Sequence, residues 1–163
     1  MLCRISIAIF ATAGVLLTAA VAAQETVGPL TIKAIAEVES KSMVGGREVD
    51  KLIPADRVVP GDQVIYTLEV RNTGATLEAP TVVHPIPEHM RYVANSALGP
   101  GAEVSYSVDG GRSFDRAENL TLPGKNAELR PAVAADYTHI RWRLKNTLKA
   151  NSVAFVRFRA VVE

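Results

Sequence analysis

Four arginines in the last quarter of the chain are the residues whose type and spacing most invite chemistry. Arg141 and Arg143 stand two apart, as do Arg157 and Arg159, and Phe155 precedes the second pair by two. Residues two apart share a face of a β-strand, so each pair points one way. If residues 140–144 and 154–160 pair side by side through a turn at 146–152, all four guanidinium groups and the Phe155 ring gather on one outer face. Like charges facing each other across strands are destabilising, so such a face needs a counter-charge. Glu69 or Glu37 on neighbouring strands can supply it from within the fold. The alternative is an anionic partner, an acidic protein surface or a phosphorylated glycan, gripped by bidentate arginine contacts.

Other chemistry is sparse. The three histidines, His84, His89 and His139, include no pair at the spacing of a zinc-binding helix or knuckle. No nucleophile elbow or phosphate-binding glycine loop occurs, and the single cysteine, Cys3, lies in a segment expected to be removed. Catalytic, cofactor-binding and metal-binding residues are therefore not expected. Asp109 with Asp115, Glu118 or Asn119 has the oxygens for a weak calcium site, but not at helix-loop-helix spacing. The run Ser107-Val108-Asp109-Gly110-Gly111-Arg112-Ser113-Phe114 resembles the Asp-box hairpin of sialidase-like propeller blades. In that motif the aspartate accepts backbone hydrogen bonds and the aromatic packs beneath, which implies a structural turn rather than a glycan site.

The elements that position these residues have a period of two, the mark of strands buried on one face. Leu30, Ile32, Ala34, Ala36 and Val38 alternate with Thr31, Lys33, Ile35 and Glu37, and Val64, Tyr66, Leu68 and Val70 with Gln63, Ile65, Thr67, Glu69 and Arg71. Ile140, Trp142 and Leu144, and then Ala154, Val156, Phe158, Ala160 and Val162, repeat the pattern. Shorter strands are expected at 81–84, 91–93 and 104–108. The total, about seven, fits an immunoglobulin-like antiparallel β-sandwich. Turn chemistry separates them. Pro60-Gly61-Asp62 precedes the clearest strand, Asn72-Thr73-Gly74 ends it, and Asp109-Gly110-Gly111 suits a hairpin. Pro85 and Pro87 cannot donate to a ladder and mark a crossover between sheets. Residues 40–55, with Gly45-Gly46, read as a flexible loop or short hairpin, and 120–135 as an irregular insertion.

Residues 1–23 differ from the rest. Arg4 precedes an apolar run over 5–21, and Ala20-Val21-Ala22-Ala23 supplies the small residues of a cleavage site, the pattern of a secretory signal peptide cut after Ala22 or Ala23. The domain organisation is then a signal peptide at 1–23 and one domain at 24–163, with no membrane span after cleavage. Loss of Cys3 leaves no thiol for a disulfide, so burial alone must hold the fold in an oxidising compartment. Loss of Arg4 leaves basic and acidic residues equal in number, which gives no reason to expect nucleic acid as a partner.

Pro60-Gly61-Asp62, Tyr66, Val70-Arg71-Asn72-Thr73-Gly74, Ile86-Pro87, Arg91-Tyr92-Val93, Ser96, Ile140-Arg141-Trp142 and the strand ending at Val162 occur in an order that resembles the bacterial conserved-repeat family called domain of unknown function eleven. The resemblance spans residues 30–163 and implies an exported or surface-attached β-sandwich with an adhesive, spacer or envelope-structural role. The expectation is a non-catalytic module, periplasmic or at the cell surface, that contacts an envelope protein or a surface glycan. The long strand at 153–162 offers a second route to a partner, by completing a neighbour's sheet. The competing class is a ligand-binding or hydrolytic protein with a site built from loops.

Overall fold

A computed structural model of the chain describes residues 24–126 and 128–163. The signal-peptide segment lies outside the described residues. Among the described residues eleven strands follow one another: β1 (Gln24–Val27), β2 (Leu30–Val44), β3 (Arg47–Pro54), β4 (Gln63–Asn72), β5 (Thr81–Pro85), β6 (Met90–Tyr92), β7 (Ala102–Ser107), β8 (Thr121–Pro123), β9 (Leu129–Pro131), β10 (His139–Leu144) and β11 (Val153–Val162). The seven expected from alternation are β2, β4, β5, β6, β7, β10 and β11. The other four are hairpin partners. β1 and β3 fold back on β2, and β8 pairs with β9. Residues 39–54 lack a steady period because both faces of this arm are open to solvent, so nothing forces apolar side chains to one side.

All pairings are antiparallel. The larger sheet runs β1-β2-β4-β11-β6, with β3 beside the distal half of β2, and the smaller runs β5-β10-β7. β4 is the spine of the larger sheet, aligned with β2 from Leu30↔Asn72 to Val38↔Val64 and with β11 from Val153↔Arg71 to Val161↔Gln63. One hydrophobic cluster joins the sheets: Leu68, Val70, Val156 and Phe158 of the larger meet Val82, Ile140, Trp142 and Leu144 of the smaller. Phe158 is stacked on Tyr66 with ring centroids 4.9 Å apart and lies 6.1 Å from Trp142. Such aromatic pairs add about 0.5–1.5 kcal/mol beyond the area they bury.

Among the described residues four connections cross between the sheets: β4 to β5, β5 to β6, β6 to β7 and β10 to β11. The segment holding Pro85 and Pro87 carries the chain from β5 in the smaller sheet to β6 in the larger. The last crossing, from β10 to β11, corrects an expectation from the sequence. β10 and β11 do not pair: β10 lies between β5 and β7, and β11 lies between β4 and β6. Both strands alternate in the same way because each presents an apolar face to the shared core, and they meet across it rather than edge to edge. Their connector is held by Leu148, which exchanges two backbone bonds with Leu77 at 3.0 and 2.9 Å.

Candidate functional site

Separation of β10 from β11 divides the arginines. Arg141 and Arg143 lie on the outer face of the smaller sheet, and Arg157 and Arg159 on that of the larger, so the single four-arginine face is not formed. On the smaller sheet Arg141 is fixed. Its Nε donates to Ser105 Oγ at 2.9 Å and its guanidinium carbon stands 4.7 Å from the centre of the Phe114 ring. Arg143 stands opposite Glu103 in the ladder. The Glu103 carboxyl is held below its ordinary value, first by a hydrogen bond from Arg116 and also by the charges of Lys145, Arg116 and Arg143.

On the larger sheet the two arginines have different surroundings. Arg159 donates to Glu39 and to Gln63, each at 2.8 Å. Beside it Ile65 points to the outer face yet is fully buried, in a hollow that Glu39, Leu52, Arg157 and Arg159 also line; long charged side chains shelter apolar surface in this way. Among the described residues the Arg157 side chain has one hydrogen bond, from Nε to Thr67 Oγ1 at 3.2 Å, and no carboxylate within ion-pair distance. Neither expected counter-charge reaches it, since Glu69 accepts from Arg71 at 2.9 Å and Glu37 forms no ion pair among the described residues.

The surroundings of Arg157 were not legible in the sequence. Beyond β6 the chain keeps contact with β11: Val93 N–H donates to the Arg159 carbonyl, and Leu98 exchanges both backbone bonds with Arg157 at 2.7 and 2.8 Å. The chain then leaves through Gly99, Pro100 and Gly101. Gly99 is required here, because a Cβ would sit 2.9 Å from the Ala102 Cβ and 3.0 Å from a Val156 methyl. The departure leaves the start of β11 uncovered. Phe155 is 52% and Leu98 61% exposed. A hollow of about 500 Å³ lined by Thr67, Leu98, Pro100, Phe155 and Arg157 opens on the outer face. A second, of about 340 Å³, runs beside Phe155 toward Leu144, Leu148 and Ala154.

The turn residues do structural work. Asp62 caps its own turn by accepting from Val59 N–H, and Gly61, with φ of 97°, donates to the Val162 carbonyl, tying Pro60-Gly61-Asp62 to the end of β11. Asn72 is fully buried, and its amide nitrogen reaches the carbonyls of Ala75, Leu148 and Lys149 while its oxygen accepts from Gly74 N–H. A Cβ on Gly74 would stand 2.7 Å from the Pro29 Cβ. In the Asp-box-like hairpin, Asp109 accepts from the Ser107 and Ser113 hydroxyls and from the Arg112 and Ser113 N–H groups. The Ser113 bonds lead in holding its carboxyl well below the usual range. Gly110 and Gly111 carry the positive φ of the turn. Asp115 is taken up by Arg116 N–H and Asn119. Donors take up these oxygens, and no group of three or more His, Cys, Asp and Glu is gathered among the described residues.

Among the described residues no helix is long and apolar enough to cross a membrane. No protein-family model matches the chain, and comparisons with curated proteins and with solved structures find no match.

Proposed function

We propose that the chain is an exported, non-catalytic module of the cell envelope, an immunoglobulin-like sandwich of the conserved-repeat kind that works by contact with another protein. The observation that carries this reading is the patch on the outer face of the larger sheet, where exposed Phe155 and Leu98 flank Arg157, which has no carboxylate partner among the described residues. An aromatic and an arginine side by side on an open surface are the residue types that dominate protein contacts. The apolar run over 5–21 after Arg4 and the small residues Ala20-Val21-Ala22-Ala23 support export. A surface glycan is the second reading, supported by the polar hollow on the opposite sheet where Arg141 lies over Phe114 beside Ser105, Asp115 and Arg143.

The test is photo-crosslinking in cells from an unnatural residue at Leu98, with Leu129 on the β8–β9 hairpin as the reference position. Reproducible capture of one envelope protein from 98 and not from 129, on a chain whose N-terminus begins at residue 23 or 24, is the expected result. An uncleaved chain, or equal capture from both positions, would overturn it.

A further inference from the structure

We infer that the uncovered start of β11 is a strand-addition site, which an extended peptide of alternating acidic and apolar residues enters as a new edge strand; this deepens the contact reading above and rests on it. The backbone supports the inference first. Arg157 uses both its N–H and its C=O on the β6 side, bonded to Leu98. Groups two residues apart along a strand point to the same edge, so Phe155 and Val153 present theirs to that side as well. Beyond Leu98 no strand covers them among the described residues. Such an edge is a template for another chain.

The side chains define the occupant. An added strand sends successive side chains to opposite faces of the sheet, and hollows lie on both faces at this point. The inner one, with Leu144 and Leu148, suits an aliphatic side chain. The outer one ends at Arg157, whose guanidinium meets no carboxylate among the described residues, and so suits an acidic one. Two other edges lack this pairing of features. The outer edge of β3 is guarded by Arg47, Glu48, Asp50 and Lys51, the charged pattern that discourages pairing. The free side of β7 is bridged at Tyr106 by Asp115.

The probe is a synthetic five-residue peptide alternating valine and glutamate, compared with its lysine-for-glutamate counterpart and with a form N-methylated at alternate amides. Trp142, the only tryptophan in the chain, reports occupancy, because its ring reaches within 3.3 Å of where a Cβ on Gly99 would stand. The acidic peptide should bind saturably, shift Trp142 emission and slow hydrogen exchange at the Phe155 amide. N-methylation should abolish binding, and Arg157→Glu should weaken it at least about tenfold and transfer preference to the lysine peptide. Arg157 is exposed, so this variant should keep its thermal midpoint, which serves as the control for folding. Absence of binding by the acidic peptide, indifference to N-methylation or indifference to Arg157→Glu would overturn strand addition. So would a Phe155 amide already protected in a concentration-dependent dimer, with a second copy occupying the edge. If any of these outcomes accompanies continued crosslinking from position 98, strand addition falls and the contact reading stands. Loss of the crosslink alone would remove the contact reading.

Discussion

Arg141 and Arg157 both stand on central strands, each with a second arginine two residues further on, and their surroundings differ. Arg141 is clamped between Ser105 and the Phe114 ring, and Arg143 beside it faces Glu103. Among the described residues the Arg157 side chain hydrogen-bonds only to a threonine hydroxyl, and it borders an exposed phenylalanine and an uncovered strand edge. The difference arises from what crosses each face. On the smaller sheet the hairpin after β7 folds back and delivers Phe114, Asp115 and Arg116. On the larger sheet the chain turns away at Gly99 one residue after touching β11. The same residue type is therefore structural where a loop returns and available where one departs.

This contrast can be broken at several levels. Both faces hang on one core, so Phe158→Ala should destabilise the whole molecule by about 3–5 kcal/mol in urea unfolding. A loss below about 1 kcal/mol would mean that the two sheets are energetically separate and that their faces cannot be compared. Asn72→Ala strands buried carbonyls on both sides of the turn it ties and should cost about 2–3 kcal/mol. Its effect should fall on the larger sheet, with faster hydrogen exchange at residues 148–153 than at 139–144. Replacing each arginine tests the contrast directly. Arg141→Ala should cost about 1 kcal/mol through lost cation–π and hydrogen-bond contacts, while Arg157→Ala should stay within about 0.5 kcal/mol. Equal costs would erase the distinction.

The smallest expected effect comes from acid. Asp136 is gripped by both Arg130 nitrogens at 2.7 Å and by Val133 N–H, and the Arg130 bond leads in lowering its pKa to about 2. Asp109 is lowered by its turn. A carboxyl depressed in the folded state stabilises fully above the unfolded value of about 4, and that contribution disappears as pH falls through the folded value. Amide protection at residues 107–113 and 129–136, taken relative to the intrinsic exchange rate at each pH, should therefore fall as pH drops below about 4. Unchanged protection there would remove the role given to the two carboxylates.

Much of the fold was legible because burial on one face leaves a period of two. The seven strands that wall the core, the turns at 60–62, 72–74 and 109–111, and the proline crossover all follow from local residue chemistry. Pairing was not legible. Alternation shows which side of β10 and β11 faces the core, but it does not show which strand lies beside them. Ile65 sits in an outward register and is buried because Glu39 and Arg159, distant in sequence, meet over it. Asn72 read only as the end of a strand, since its buried partners at 148 and 149 lie 76 and 77 residues away. Gly99, Pro100 and Gly101 read as ordinary loop, and only the observed path shows that they expose the edge of β11.

The position of β11 between β4 and β6 also sets how the chain can fold. The β2–β4 ladder joins neighbouring hairpins, but β11 must find β4 across long separations, as between Arg157 and Thr67, 90 residues apart. Closing loops of that length precedes any gain from the contacts, which places such topologies in the millisecond-to-second range of folding times. Until β11 docks, Trp142 lacks the Phe158 and Val156 side of its surroundings. Its emission should therefore reach the native value in one late phase, the same phase in which the Arg157 edge comes into existence.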